Sequence, residues 1–345
     1  MTHGRNEVLR NEVEVMVMEI SSVGGFLANT SAAAPDTAVN DDVAIDGEAE
    51  TPNKNGIRTT TMPKPAADGY KKPDIAQIVN GTDLGGPVPY YVGLAFAVDK
   101  DDLWTPFCGG TLISSRVVLT AAHCMDDLEE FSLAVLVNTY DWTDPDQGGE
   151  AINVDVEDFI PHPDFSYGTN DVGLVILPSK DAVTGVQYAT LNEDSNVPAE
   201  DDEFRVLGWG LTEWGGARSD ILLGTTVDYV PTEQCQEDYE DLGTLTKDNV
   251  CAAGDGTDTC RGDSGGPLLT SYEDPLQVGI VSFGVGCTEP GYPGVYTRVS
   301  YFADWIKETA CASTGELCSS SGSKSSKGST KSSKGSTKSS FSLSF

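Results

Sequence analysis

The feature that most constrains this chain is a change of pattern at Ile78. Downstream of it, short apolar runs recur between turn residues, at 117–120, 133–137, 172–177, 203–207 and 278–283. Runs this short, bounded by Gly, Pro, Asn and Asp, are strand signals. They predict an antiparallel all-β body, and periodicity leaves sandwich and barrel both open. The 345 residues leave room for one such domain of roughly 200 to 250 residues plus extensions, and 39% apolar residues suffice for its core. One helix is expected near the end. Ser300 can cap residues 301–306, where positions 301, 302, 305 and 306 make an apolar stripe suited to core packing.

Upstream of Ile78 the chain is of another kind. Arg5 and Arg10 precede a mostly apolar run over 13–28, and Ala32-Ala-Ala34 offers a small-residue cleavage site, so 1–34 reads as a degenerate signal peptide. Glu14 and Glu19 interrupt the run, so either the start codon is misassigned or the segment is something else. It is too short and too charged for a transmembrane helix. Residues 35–77 are rich in Pro, Asp, Thr, Lys and Gly without hydrophobic period, which reads as a disordered prosegment. Residues 311–345 read as a Ser/Lys-rich tail, with Lys-Ser-Ser-Lys-Gly-Ser-Thr at 324–330 and again at 331–337. The repeat has no apolar a/d positions for a coiled coil. A plain flexible tail is the simplest reading, and spaced lysines would also suit a polyanion or wall polymer.

All eight cysteines stand at or after Cys108, which argues for an oxidising compartment. They do not form zinc sites, because no Cys-x-x-Cys pair occurs and the chain has only three histidines. The formal charge of −33 argues against nucleic acid, whose phosphates need Lys and Arg. Five of the 21 basic residues lie beyond residue 318 and none of the 54 acids does, so residues 1–318 carry 16 against 54, or −38. That field favours basic substrates and solubility.

The chemistry concentrates in Thr257-Asp-Thr-Cys-Arg-Gly-Asp-Ser-Gly-Gly-Pro267. Ser264 is the candidate nucleophile, and a serine hydroxyl is inert near neutral pH without a base and without something to hold the oxyanion. Gly262, Gly265 and Gly266 allow a tight turn that aims amide N–H groups beside it. A bare Gly/Asp/Ser cluster is usually only a turn, so partners are needed elsewhere. Leu119-Thr-Ala-Ala-His-Cys124 offers an imidazole, and Thr169-Asn-Asp-Val-Gly-Leu-Val-Ile-Leu177 a carboxylate to orient it. The order is therefore His123, Asp171, Ser264. His3 lies in the presequence and His162 between two prolines in an expected surface loop, which leaves His123 as the base.

Together with Ile78-Val-Asn-Gly81, Gly208-Trp-Gly210 and Pro293-Gly-Val-Tyr-Thr297, these stretches resemble the chymotrypsin/trypsin-like serine endopeptidases from Ile78 to about Ala310. The resemblance implies a protease domain over 78–310 made of two antiparallel β-barrels, with the active site in the cleft between them. His123 and Asp171 would come from the first barrel and Ser264 from the second. It implies an oxyanion hole from the amides of Gly262 and Ser264. It implies a trypsin-type pocket with Asp258 at its base, Ser282 beside it, and Gly284 and Gly294 as open walls, for substrates with Lys or Arg at the cleavage site. Phe283 stands where the family usually has tryptophan, and Arg261 lies at the pocket mouth.

Three disulfides are implied as well: Cys108 with Cys124, Cys235 with Cys251, and Cys260 with Cys287. Cys311 and Cys318 remain, for a local pair or an intermolecular bond. Activation is implied by cleavage before Ile78, whose new amino group would pair with Asp263. Gln77 departs from the Lys or Arg common before that bond, so an activating protease of different specificity is expected. A cleaved prosegment could not stay attached by a disulfide, since no cysteine precedes Cys108. The implied protein is secreted, with protein or peptide substrates and proteinaceous inhibitors as partners.

No cofactor is expected. Related proteases bind calcium in the loop that corresponds to Asp141–Glu150, and Asp141, Asp144, Asp146 and Glu150 could hold it here, although a solvated acidic loop is the plainer reading. Asn80-Gly-Thr82 and Asn29-Thr-Ser31 fit the glycosylation pattern. The rival reading from another class is a catalytically silent binding protein on the protease scaffold, anchored to an extracellular matrix by its basic tail.

Overall fold

The computed structural model describes residues 59–60 and, apart from 98–102, 127, 129–130, 145–148 and 244, residues 78–318. The segment read as a signal peptide, almost all of the one read as a prosegment, Gln77, Asn29, Asp146 and the lysine repeats lie outside the described residues.

The first half is a curled sheet. Its strands are β1 (Tyr91–Ala97), β2 (Thr105–Leu112), β3 (Val117–Thr120), β4 (Ser132–Val137), β5 (Glu150–Val154), β6 (Phe159–Pro161) and β7 (Gly173–Ile176). Their order is β5-β4-β1-β2-β3-β7-β6, with the two-residue strand Thr59–Thr60 paired outside β5. The short strands β3 and β7 are wholly buried, so they read in sequence as continuous apolar runs without alternation. They pair Val118 with Val175 and Leu119 with Leu174, which sets the residues just after β3 beside those just before β7.

The second half closes into a six-stranded barrel of β8 (Glu203–Gly208), β9 (Leu223–Val230), β10 (Asn249–Ala253), β11 (Pro267–Leu269), β12 (Leu276–Phe283) and β13 (Gly294–Arg298). The ring runs β8-β9-β10-β13-β12-β11 and returns to β8. All six pairings in it are antiparallel, and a parallel two-residue strand, Thr190–Leu191, adds to β12 from outside. Phe204, Val206, Val250, Leu268, Val278 and Tyr296 fill its interior. The all-β expectation is met. The two halves differ in that the second closes fully and the first curls as a half-barrel.

A short helix, α1 (Thr232–Asp238), follows β9, and a longer one, α2 (Val299–Thr314), leaves β13 directly. The expected C-terminal helix is present but starts earlier than the sequence signal placed it. Arg298 is its N-cap without a side-chain bond, and Ser300 lies inside the helix with its hydroxyl buried and unpaired. Burial outweighs capping here. A cap is worth about 1 kcal/mol, whereas each large buried apolar side chain contributes roughly 1.5–3 kcal/mol. Val299, Phe302, Ile306 and Ala310 all sink into the core of the first half, so the helix from the second barrel ties the two together. Gly315, at φ 76°, ends it in the left-handed conformation that suits glycine.

Four disulfides join Cys108 to Cys124, Cys235 to Cys251, Cys260 to Cys287 and Cys311 to Cys318. The last pair is local, spanning seven positions around the end of α2.

Candidate active site

At the end of β3 the Thr120 hydroxyl donates to Gly109 O at 2.8 Å, and the chain turns into a short 3-10 turn, Ala122–Met125. That turn presents His123, and the Cys108–Cys124 bond fixes it to β2. Asp171 stands two residues before β7 and is 3% exposed. Its Oδ1 accepts the His123 backbone N–H at 2.9 Å, and its Oδ2 meets His123 Nδ1 at 2.8 Å. The Ser282 hydroxyl donates to the same Oδ2 at 2.5 Å, and the Thr297 hydroxyl to the Asp171 carbonyl at 2.7 Å.

These contacts set the charges. Burial raises the Asp171 carboxyl, but the His123 charge and the hydrogen bonds from His123 and Ser282 overcome this and hold it below the usual range. Burial pulls the His123 imidazole down, and the Asp171 charge and hydrogen bond pull it up further, for a net rise above 6.5. The carboxylate therefore stays ionised, and Nδ1 is committed to it. Nε2 is not engaged by Asp171 and lies 3.8 Å from Cys124 Sγ.

Ser264 comes from the second half, in the loop before β11. Its carbonyl accepts Gly109 N at 2.7 Å, and Gly265 N donates to Val281 O at 2.9 Å. Gly265 has φ 78°. A Cβ there would lie 2.5 Å from Gly109 O and 3.2 Å from Ala121 N and would run into the Thr120 hydroxyl. Only glycine lets the Ser264 loop rest on the residues that lead into His123. The structure thus brings His123 and Asp171 into contact and seats the Ser264 loop against the same turn. No hydrogen bond joins the Ser264 hydroxyl to His123 among the described residues.

Between Cys260 and Gly266 the amides of Asp263, Gly265 and Gly266 are used internally, bonding to Cys260 O, Val281 O and Asp263 O. Those of Gly262, at φ 97°, and Ser264 meet no protein acceptor among the described residues. Two unspent donors beside a serine can hold an oxyanion.

Asp258 Oδ2 accepts Thr288 N at 2.8 Å, while Oδ1 is buried without a partner. A Cβ on Gly294 would sit 3.2 Å from Asp258 Oδ1, and one on Gly284 would sit 3.9 Å from Gly294 Cα. The three positions therefore lie together. Burial raises the Asp258 carboxyl to about 7, against the pull of the Thr288 and Thr259 amides. Ser282, expected beside the pocket, donates its hydroxyl to Asp171. Arg261 stacks 4.6 Å over the exposed Trp214 ring.

Ile78 and Asp263 are both fully buried. Asp263 Oδ1 accepts Gly210 N and Oδ2 accepts Cys260 N, each at 2.9 Å. Burial raises its carboxyl to about 6, while these amides and Arg218 pull it down. The support of Asp171 by Ser282 and Thr297, and of Asp263 by Gly210, went unread in the sequence. These partners lie 53 to 126 positions apart.

The acidic loop is described in part. Asp141 Oδ1 accepts Thr143 N at 3.0 Å and the Thr143 hydroxyl at 2.6 Å. Among the described residues, one group of three potential metal ligands lies together, Cys108, His123 and Cys124, and both of its sulfurs are held in a disulfide. Asn80 is exposed, but its Nδ2 donates to Gly256 O at 2.6 Å and is the atom a glycan would take. No helix among the described residues is long and apolar enough to cross a membrane.

Residues 78–306 match the family described as Trypsin. The chain is 33% identical over 264 residues to the vitellin-degrading protease of Bombyx mori, covering 73% of this chain and 90% of that protein. It is 35% identical over 241 residues to trypsin-1 of Astacus astacus, covering 68% of this chain and 100% of that protein. To the anionic trypsin of Bos taurus it is 35% identical over 255 residues, covering 72% and 96%.

Proposed function

The chain belongs to the trypsin family of serine endopeptidases, and from that premise we propose that it is secreted in an inactive form and, once activated, cuts peptide bonds after Lys or Arg. The observation that carries the Lys/Arg reading is Asp258 Oδ1, a buried carboxylate oxygen without a partner beside Gly294, with Gly284 next to it. A substrate ammonium or guanidinium entering there would supply the missing partner.

In this reading the Ser264 hydroxyl attacks the scissile carbonyl while His123 Nε2 takes its proton, and Asp171 stabilises the imidazolium that forms. The Gly262 and Ser264 amides hold the oxyanion. His123 then gives the proton to the departing amine, leaving an acyl ester on Ser264. Water attacks that ester by the same route in reverse. The open geometry between Ser264 and His123 suits an unliganded site, where such bonds tighten on substrate binding. These side chains and amides supply the whole reaction without a cofactor.

Cleavage at Gln77–Ile78 by a protease of different specificity would free the Ile78 amino group. A buried ammonium needs a buried carboxylate, and Asp263 is the candidate.

Digestion of a peptide library by the activated protein tests the specificity, and cuts spread without regard to Lys or Arg would remove it. Fluorophosphonate labelling tests the nucleophile. An activated protein that takes no label would return the silent-scaffold reading.

A further inference from the structure

One cation beneath the Ser264 loop has no part in the chemistry above. Arg218 belongs to the hairpin that follows Gly210. It bridges across to Leu211, and Ser219 N donates to Gly210 O at 3.2 Å. Its side chain turns back under the loop. A Cβ built on Gly262 would meet Arg218 Cζ at 3.4 Å and Nε at 3.6 Å, with Gly210 Cα 3.1 Å from the same point. Arg218 Nη1 donates to Pro106 O, which ties the guanidinium to β2, the strand that carries Gly109. The guanidinium thus has Gly262 above it and β2 beside it. Gly210, whose amide holds Asp263, stands against the same loop face.

We propose that Arg218 is a positioning residue for the oxyanion hole, supporting Gly262 from below. The inference rests on the proteolytic reading. A carboxylate with no exposed surface tends to neutralise unless positive charge faces it. Once protonated, Asp263 would be a weaker acceptor for Gly210 N and Cys260 N, the two bonds that shape the turn before Ser264. The ionisable groups coupled to Asp263 are Arg218 from the hairpin, Tyr91 from β1, and Asp258 and Tyr296 from the pocket side. Only Arg218 among these is cationic, and a guanidinium keeps its charge at any working pH. No direct ion pair joins it to Asp263 among the described residues.

The test is steady-state kinetics on an arginyl peptide amide, with Arg218→Gln and Arg218→Lys made in the full chain and cleaved before Ile78, beside competitive binding of benzamidine. Arg218→Gln should lower kcat by about tenfold to a hundredfold, the scale of a misaimed oxyanion donor. KM and benzamidine binding should stay within about twofold, and the acid limb of kcat should move to higher pH as Asp263 loses its cation. Arg218→Lys should keep the parent acid limb. A kcat for Arg218→Gln within about twofold of the parent, with the acid limb unmoved, would overturn the proposal. So would a shifted limb in Arg218→Lys, even if Arg218→Gln did not fold. Absence of turnover in the unmutated protein would overturn this proposal together with the proteolytic reading, whereas normal parent turnover beside an unaffected Arg218→Gln overturns this one alone.

Discussion

Asp171 grips His123 at two points, with Oδ1 on the backbone N–H at 2.9 Å and Oδ2 on Nδ1 at 2.8 Å. One carboxylate therefore fixes both where the turn sits and which ring nitrogen is left free for Ser264. Asp171→Asn should keep the fold and lower kcat by about 10⁴, the size seen for this substitution in a family triad rather than one obtained from this structure. Ser264→Ala and His123→Ala should each cost nearly as much singly as together, because the three act as a unit. Near-additive losses in the double variant would count against the assignment.

The pH profile follows from the same contact. His123 must be neutral to accept a proton, and its imidazole is raised above 6.5. Activity should therefore fall as pH drops through a midpoint above 6.5, and Asp171→Asn should bring that midpoint down. A parent midpoint well below 6.5 would remove His123 as the base.

Asp258 links specificity to stability. Asp258→Ser should abolish the preference for Lys and Arg, at a cost of roughly 3 to 5 kcal/mol in transition-state binding for basic substrates. Asp258→Asn should also stabilise the protein at pH 8. The carboxyl rises from 3.8 to about 7 on folding, so its contribution is full below 3.8 and is lost as pH climbs through about 7. The gain at pH 8 is on the order of a few kcal/mol. Thermal melts of the two proteins should diverge between pH 4 and 8 and converge in acid. Parallel curves over that range would contradict the buried charge.

Gly265→Ala should disable the nucleophile loop. The added methyl meets both a positive φ and the atoms of Gly109 and Thr120, for roughly 2–4 kcal/mol of lost stability with loss of turnover. Gly85 has a similar φ of 72° with nothing within 4 Å, so Gly85→Ala should cost only about 1 kcal/mol and keep activity. Equal effects of the two changes would show that crowding at Gly265 is unimportant.

Activation is checked by comparing the full-length protein with a form engineered to begin at Ile78. The first should be nearly inactive and the second active, and Asp263→Asn should silence the second because the buried ammonium loses its counter-charge. Full activity of uncut protein, or retained activity in Asp263→Asn, would falsify this mechanism.

How far these residues could be read in advance depended on distance along the chain. The short apolar runs, the Gly-Asp-Ser-Gly-Gly turn and the His-Cys and Asn-Asp-Val stretches are local patterns, and local backbone and burial preferences already determine them in the sequence. So the strands were legible, and His123, Asp171 and Ser264 as candidates. Tertiary structure alone decided that the Ser282 hydroxyl bonds Asp171, and that Arg218 runs beneath Gly262. It also decided that the terminal helix starts at Val299, one residue ahead of the serine expected to cap it. Each of these is an outcome of packing between segments far apart in sequence. A hydroxyl or guanidinium takes the partner that the fold brings within reach, and a helix begins where its side chains reach the core of the other half.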